Sequence, residues 1–202
     1  MKYYFALLTA ITILVSCKKE VVTSHPGSEY FPNSSGNYWK YKLVDSISNS
    51  SSIVEVKIVG EKLLPTGQNS KIWTYNYPNH VDTNYVFQIG DTVKFLDNNF
   101  IILNTYIIPL QLNNKWALSR PHYYSGDTIQ VNENRTFILN NQTFENSFLL
   151  YEHGYLPNAF LDKPEWFCPN VGMITKTEKD YDRIGISYTK YLYWELIQYD
   201  LK

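Results

Sequence analysis

Apolar and polar residues alternate with a period of two along most of this chain, and turn residues interrupt the alternation at short intervals. Successive side chains of a strand point to opposite faces, so the pattern predicts half-buried β-strands. Ser51 to Val59 shows it most clearly: Val54, Val56 and Ile58 share one face, while Glu55 and Lys57 share the other with Ile53. Lys71 to Tyr77 puts Trp73, Tyr75 and Tyr77 together. Tyr85 to Ile89 and Thr92 to Leu96 flank Gly90-Asp91, a two-residue connection suited to a hairpin. Asp127 to Val131 and Arg135 to Leu139 flank Asn132-Glu133-Asn134, which reads as a turn. Asn140-Asn141 then turns the chain into Thr143 to Tyr151, although Phe144, Phe148 and Tyr151 would also suit a short helix. The Asn- and Ser-rich stretch from Ser46 to Ser52 reads as a hairpin loop.

Val171 to Thr177 and Ser187 to Tyr199 read as a final long hairpin, with Lys179 to Gly185 as its loop. In the last strand Leu192, Trp194 and Leu196 line one face, and Tyr191, Tyr193, Ile197 and Tyr199 the other. Apolar residues on both faces imply a central strand, covered on both sides or facing a cavity. No segment carries a strong amphipathic helix. The expected fold is therefore all-β with little helix: one antiparallel sheet over residues 30–202 that curls to protect its edges.

The N-terminus breaks this pattern. Lys2 precedes an apolar run from Tyr3 to Val15, 13 residues long. As a helix it spans roughly 20 Å, against about 30 Å of hydrocarbon in a bilayer, which fits the core of a secretory signal better than a membrane span. Leu14-Val15-Ser16-Cys17 resembles a lipobox, which implies that residues 1–16 are cut off and that Cys17 takes a lipid anchor. Lys18 after the cysteine is not Asp, which by the sorting rule of Gram-negative lipoproteins implies the outer membrane. Residues 18–29 carry Pro26, Gly27 and charges without periodicity, and read as a flexible tether of up to roughly 40 Å.

Charge and cysteine count narrow the function. The chain has 18 basic and 19 acidic side chains, and losing Lys2 leaves 17 basic ones, so the excess expected of a nucleic-acid binder is missing. Cys17 and Cys168 are its two cysteines, and lipidation consumes the first. Cys168 between Phe167 and Pro169 then reads as a small buried hydrophobe rather than half of a disulfide. His25, His80, His122 and His153 are scattered, with no spacing that would hold a metal, and no cofactor motif is present. Asp162 and Glu165 beside Trp166 could form a carboxylate pair suited to glycoside cleavage, but read better as part of a solvated loop. No catalytic residue is expected.

Two motifs look familiar. Phe31-Pro32 followed by Gly36-Asn37-Tyr38-Trp39-Lys40-Tyr41 resembles the FP-x-x-x-G-N-x-W-x-Y opening of many small lipoproteins of Gram-negative bacteria. Trp166-Phe167-Cys168-Pro169-Asn170-Val171-Gly172-Met173-Ile174 resembles their W-[YF]-x-P-x-V-G-x-[IV] element. The resemblance implies a curved antiparallel sheet, either a half-barrel like the lipoprotein carriers of the outer membrane or a lipocalin-like barrel. It implies no catalytic residues. Physically, Gly172 would sit where a backbone or a large ring approaches closely.

The aromatic content is the positive chemical signal. Tyr3 and Tyr4 precede Cys17, so sixteen of the 18 Tyr and all 5 Trp belong to the mature chain. Tyrosine offers an apolar ring and a wet hydroxyl, which suits cavities and contact surfaces. In one reading Trp39, Trp73, Tyr75 and Trp194 line the concave side of the sheet and hold an apolar or lipid-like ligand. In the other, exposed tyrosines such as Tyr123 and Tyr124 contact glycans or a partner protein of the envelope. The expected function is a membrane-tethered, non-enzymatic binding or structural domain, with a hydrolase as the remaining alternative. A carrier requires an apolar cavity of at least about 300 Å³.

Overall fold

The computed structural model describes residues 30–118, 127–156, 159–181 and 187–202, with the backbone alone at 154–156, 159–162 and 181. Residues 1–16, Cys17, the tether, His122 and the Tyr123-Tyr124 pair lie outside the described residues. Twelve strands run from β1 (Tyr38–Asp45), β2 (Ser50–Leu63) and β3 (Asn69–Asn76) through β4 (Val81–Ile89), β5 (Thr92–Leu96) and β6 (Ile102–Ile107). The second half contains β7 (Lys115–Ala117), β8 (Thr128–Leu139), β9 (Gln142–Leu156), β10 (Ala159–Cys168), β11 (Gly172–Tyr181) and β12 (Tyr188–Asp200). No helix occurs among the described residues.

All twelve strands belong to one antiparallel sheet in the order β6-β5-β4-β3-β2-β1-β12-β11-β10-β9-β8-β7. Each half of the chain is thus a meander of sequential neighbours, and the first and last strands pair in the middle of the sheet. The curled sheet expected from the alternation forms a nearly closed barrel. Its seam lies between β6 and β7, where the Trp116 indole N–H donates to the Thr105 carbonyl at 2.7 Å in place of a ladder.

Several local readings change. Asn132-Glu133-Asn134 is no turn: β8 runs unbroken from Thr128 to Leu139, and register shifts after Val131 and Arg135 absorb the extra residues. Beyond the three residues that pair with β7, this strand is an exposed edge, where polar side chains cost little and a bulge needs no partner on its outer side. Phe144 to Tyr151 is strand throughout. The loop between β1 and β2 is only residues 46–49, because Ser50 to Ser52 already pair with β1. β2 continues past Ile58 through a bulge that leaves Val59 58% exposed and pairs Gly60 with Ile72. β12 is central, as expected, but its outer face is bare, with Ile197 and Tyr199 about as exposed as surface residues. Asn140-Asn141, with φ of 50° and 63°, makes the predicted two-residue turn.

The two sequence motifs, 132 residues apart at their closest contact, form one structural unit. The Trp39 indole N–H donates to the Val171 carbonyl at 2.7 Å, and the Tyr41 hydroxyl donates to the Met173 carbonyl at 3.0 Å. Gly172 holds φ of +94°, and a Cβ there would lie 3.5 Å from both Pro32 and the Tyr30 carbonyl. Only glycine adopts that backbone without strain, which explains its place in the motif. Ahead of β1, the Asn37 side-chain amide donates to the Pro32 carbonyl at 2.9 Å and fixes the entry. That entry carries Phe31 into the barrel, where its ring meets Tyr106, Phe167 and Phe95 at 4.8, 5.2 and 5.8 Å. The phenylalanine of the opening motif therefore plugs the interior, and Trp39, Tyr41 and Leu43 follow it on the inward face of β1.

Candidate functional site

Beyond the plug the barrel holds a cavity of about 690 Å³. This lies within the range that encloses a drug-sized ligand, and above the volume a carrier needs. One wall is aromatic. Alternation sends Trp39 and Tyr41 inward from β1, and Trp73, Tyr75 and Tyr77 inward from β3 and its end. Trp39 stacks on Trp73 with centroids 5.1 Å apart. Trp194, from β12, meets Tyr41 and Tyr77 edge-on at 5.9 and 6.0 Å. The structure thus brings Trp39, Trp73, Tyr75 and Trp194 together around one cavity, four residues picked from the alternation alone.

The second wall was missed, and it is charged. Lys176 on β11 faces Glu165 on β10, with Nζ 3.0 Å from Oε1, and lies 3.6 Å from Glu178 on its own strand. Glu178 also pairs with Lys190 at 2.5 Å. Lys163 bridges Glu152 at 4.0 Å and Asp180 at 3.3 Å. The Tyr106 hydroxyl donates to Glu165 at 2.8 Å. Glu165 is only 3% exposed, so it stands on a buried strand and not in the solvated loop expected for it. The side chain of Asp162, its supposed partner, lies outside the described residues.

Electrostatics follow from this arrangement. Burial opposes the charge on Lys176, but the carboxylates of Glu165 and Glu178 outweigh it and hold the ammonium protonated well above the usual lysine range. Burial likewise opposes ionisation of Glu178, yet Lys176 and Lys190 pull its carboxyl down to about 2. Burial pushes the Tyr75 hydroxyl up to about 12, and raises Tyr41, Tyr77 and Tyr106 as well, so these hydroxyls stay neutral at ordinary pH. At the rim, His80 stacks on Tyr77 at 4.4 Å and lies 3.6 Å from the exposed Asp82.

A sequence signal for the charged wall existed in part. Lys163 and Glu165 are two apart, as are Lys176 and Glu178, so each pair shares a face of its strand. Which face is decided by a bulge. Trp166 pairs with Thr175 and Phe167 with Met173, leaving Ile174 as the extra residue. The phase of β11 flips there, so that Met173 and Lys176, three apart, both line the cavity. Cys168 is buried as expected; burial raises its thiol, which lies 3.4 Å from the Glu145 carbonyl. No group of three metal-ligating side chains occurs among the described residues.

No family model and no curated protein matches the chain. Among solved structures it is similar to a "putative lipoprotein" from Parabacteroides distasonis ATCC 8503, at 17% identity and a TM-score of 0.40 over 85% of this chain and 98% of that one. It is also similar to a "putative exported protein with YmcC-like fold" from Bacteroides fragilis NCTC 9343, at 11% identity, a TM-score of 0.40 and the same coverage. Superpositions this loose carry nothing about function from those proteins to this one.

Proposed function

We propose that this protein is a membrane-tethered lipoprotein of the cell envelope, anchored at Cys17, whose barrel binds a small ligand without transforming it. The observation that carries the binding reading is the cavity of about 690 Å³ with an aromatic wall. A purely structural barrel of this size would be expected to fill its interior with side chains, since protein cores pack to crystal density with few voids larger than a water molecule. The anchor reading rests on the lipobox-like residues before Cys17 and on the tether that follows. Lys18, directly after the anchored cysteine, favours the outer membrane as the destination.

The lining chemistry fits binding. The lysines and glutamates of the cavity are engaged with one another in ion pairs, so none of these six stands ready to carry protons for a reaction. Native mass spectrometry on the chain isolated from membranes tests the reading: a reproducible mass increment that disappears in Trp194→Ala supports it. The mass of the lipidated chain alone in every preparation overturns the carrier reading and favours an interaction module. For the anchor, Cys17→Ala abolishes labelling by a fatty-acid probe and releases the chain from the membrane fraction; unchanged labelling sinks that part.

A further inference from the structure

Resting on the cavity reading, we infer that the ligand is a neutral amphiphile with hydroxyl groups, its apolar face on the aromatic wall and its hydroxyls on the charged wall. Lys163, Lys176 and Lys190 stand against Glu152, Glu165 and Glu178, three cations and three anions tied into ion pairs within or directly behind the lining. Three further carboxylates stand outside these six. Asp82 and Asp180 have side chains 59% and 47% exposed and are screened by water. Asp97 accepts the backbone N–H groups of Asn99 and Ile101 at 2.8 Å.

A ligand bearing net charge and seated against this network would find no free counter-ion within it. It would have to break an existing pair, and each group thereby left alone in a poorly solvated wall is penalised. A neutral ligand avoids that cost. The wall nevertheless offers both kinds of hydrogen-bonding partner: ammonium groups only donate, and carboxylates only accept. A hydroxyl does both, so it can bridge Lys176 and Glu178 without separating them. A carboxylate or ketone accepts only, and offers the glutamates no donor of its own. Trp194 is the cross-strand neighbour of Lys176, and with the rings of Tyr41, Tyr75 and Tyr77 it lines the same cavity, which suits the apolar face of a sugar ring or an acyl chain. Hydroxylated sugars and acylglycerols share this chemistry, and the test separates them.

The intact chain, held in nanodiscs so that free detergent does not compete, is titrated calorimetrically with four water-soluble probes. Phenyl β-glucoside and monooctanoylglycerol are neutral and hydroxylated; octanoate is anionic, and octyltrimethylammonium cationic. The expected result is at least tenfold tighter binding of one or both neutral probes than of either ion. Preference for the glucoside names a glycan source, and preference for the acylglycerol a lipid. Octanoate or the ammonium ion binding as tightly as the neutral probes overturns the inference while leaving the cavity as a binding site. Absence of binding by all four overturns the inference together with the carrier reading.

Charge balance gives a second and sharper readout. Glu165→Gln leaves three lysines against two glutamates, and should improve octanoate binding about tenfold relative to the neutral probes. The double variant Glu165→Gln with Lys176→Gln restores the balance and should restore the original order. If the single substitution destabilises the barrel, the double variant still reports. An octanoate preference retained by the balanced variant refutes the role assigned to the ion pairs.

Discussion

The aromatic wall from β1 and β3 and the charged wall from β9 to β12 face the same cavity with opposite chemistry. On the aromatic side the polar atoms are settled locally: the indoles of Trp39 and Trp73 donate to Val171 and Asn33, and the Tyr41 hydroxyl donates to Met173. Trp194 is the exception among them, with a buried Nε1 that has no hydrogen-bond partner among the described residues. On the charged side nothing is settled by one residue. Lys176 touches two carboxylates, Glu178 two ammoniums, and Glu165 an ammonium and a hydroxyl. Packing tolerates the loss of a single contact gradually, whereas removing one member of an ion network strands its partners. The two walls should therefore fail differently.

Trp39→Ala gives the largest expected loss, because it removes a fully buried indole, its stack on Trp73 and its bond to the closing motif. We expect about 3–5 kcal/mol in urea unfolding. A loss below about 1 kcal/mol would show that the motif junction is not the centre of the core. Lys176→Met keeps the volume but leaves Glu165 and Glu178 facing each other without their shared cation. The expected loss is about 3 kcal/mol, the lower end of the range for stranded buried charges because the Lys176 side chain is 26% exposed. Adding Glu165→Leu and Glu178→Leu should recover most of it, and failure to recover would mean that the pairs stabilise the barrel in their own right.

The charged wall also predicts a pH dependence. The Glu178 carboxyl is lowered to about 2 in the folded protein from an ordinary 4.5. A depressed value means that the stabilisation is complete above about pH 4.5 and is lost as pH falls from there towards 2. Thermal melts across that window should steepen in the wild type, with about 2 kcal/mol absent from the Glu178→Gln profile; superimposable profiles would remove Glu178 from the network. Gly172→Ala is the mildest change. Its Cβ meets only ordinary contacts at 3.5 Å, so the expected cost of about 1–2 kcal/mol comes from the φ of +94° alone. Gly172→Leu should cost distinctly more, since the longer side chain must displace Pro32 or Trp39.

Alternation of apolar and polar residues was sufficient to name most of the strands, though not β7 or β10, the hairpins at Gly90-Asp91 and Asn140-Asn141, and the inward aromatics Trp39, Trp73, Tyr75 and Trp194. These are local properties: a two-residue period sorts side chains by face wherever a strand is regular, and turn residues carry their own backbone preferences. The charged wall was not readable in that way. A bulge leaves no mark in composition, yet the one at Ile174 inverts the phase of β11 and turns Lys176 and Glu178 towards the cavity. The same holds for Asn132-Glu133-Asn134, whose polarity suggests a turn until the edge position of β8 is known. Joining the two halves into one sheet was likewise a tertiary outcome, since it required the first strand to find the last across the whole chain. The sequence alone determined which residues prefer to be buried. Strand pairing and bulge placement decided which polar groups share the burial, because only there do charges far apart in the chain come close enough to neutralise one another.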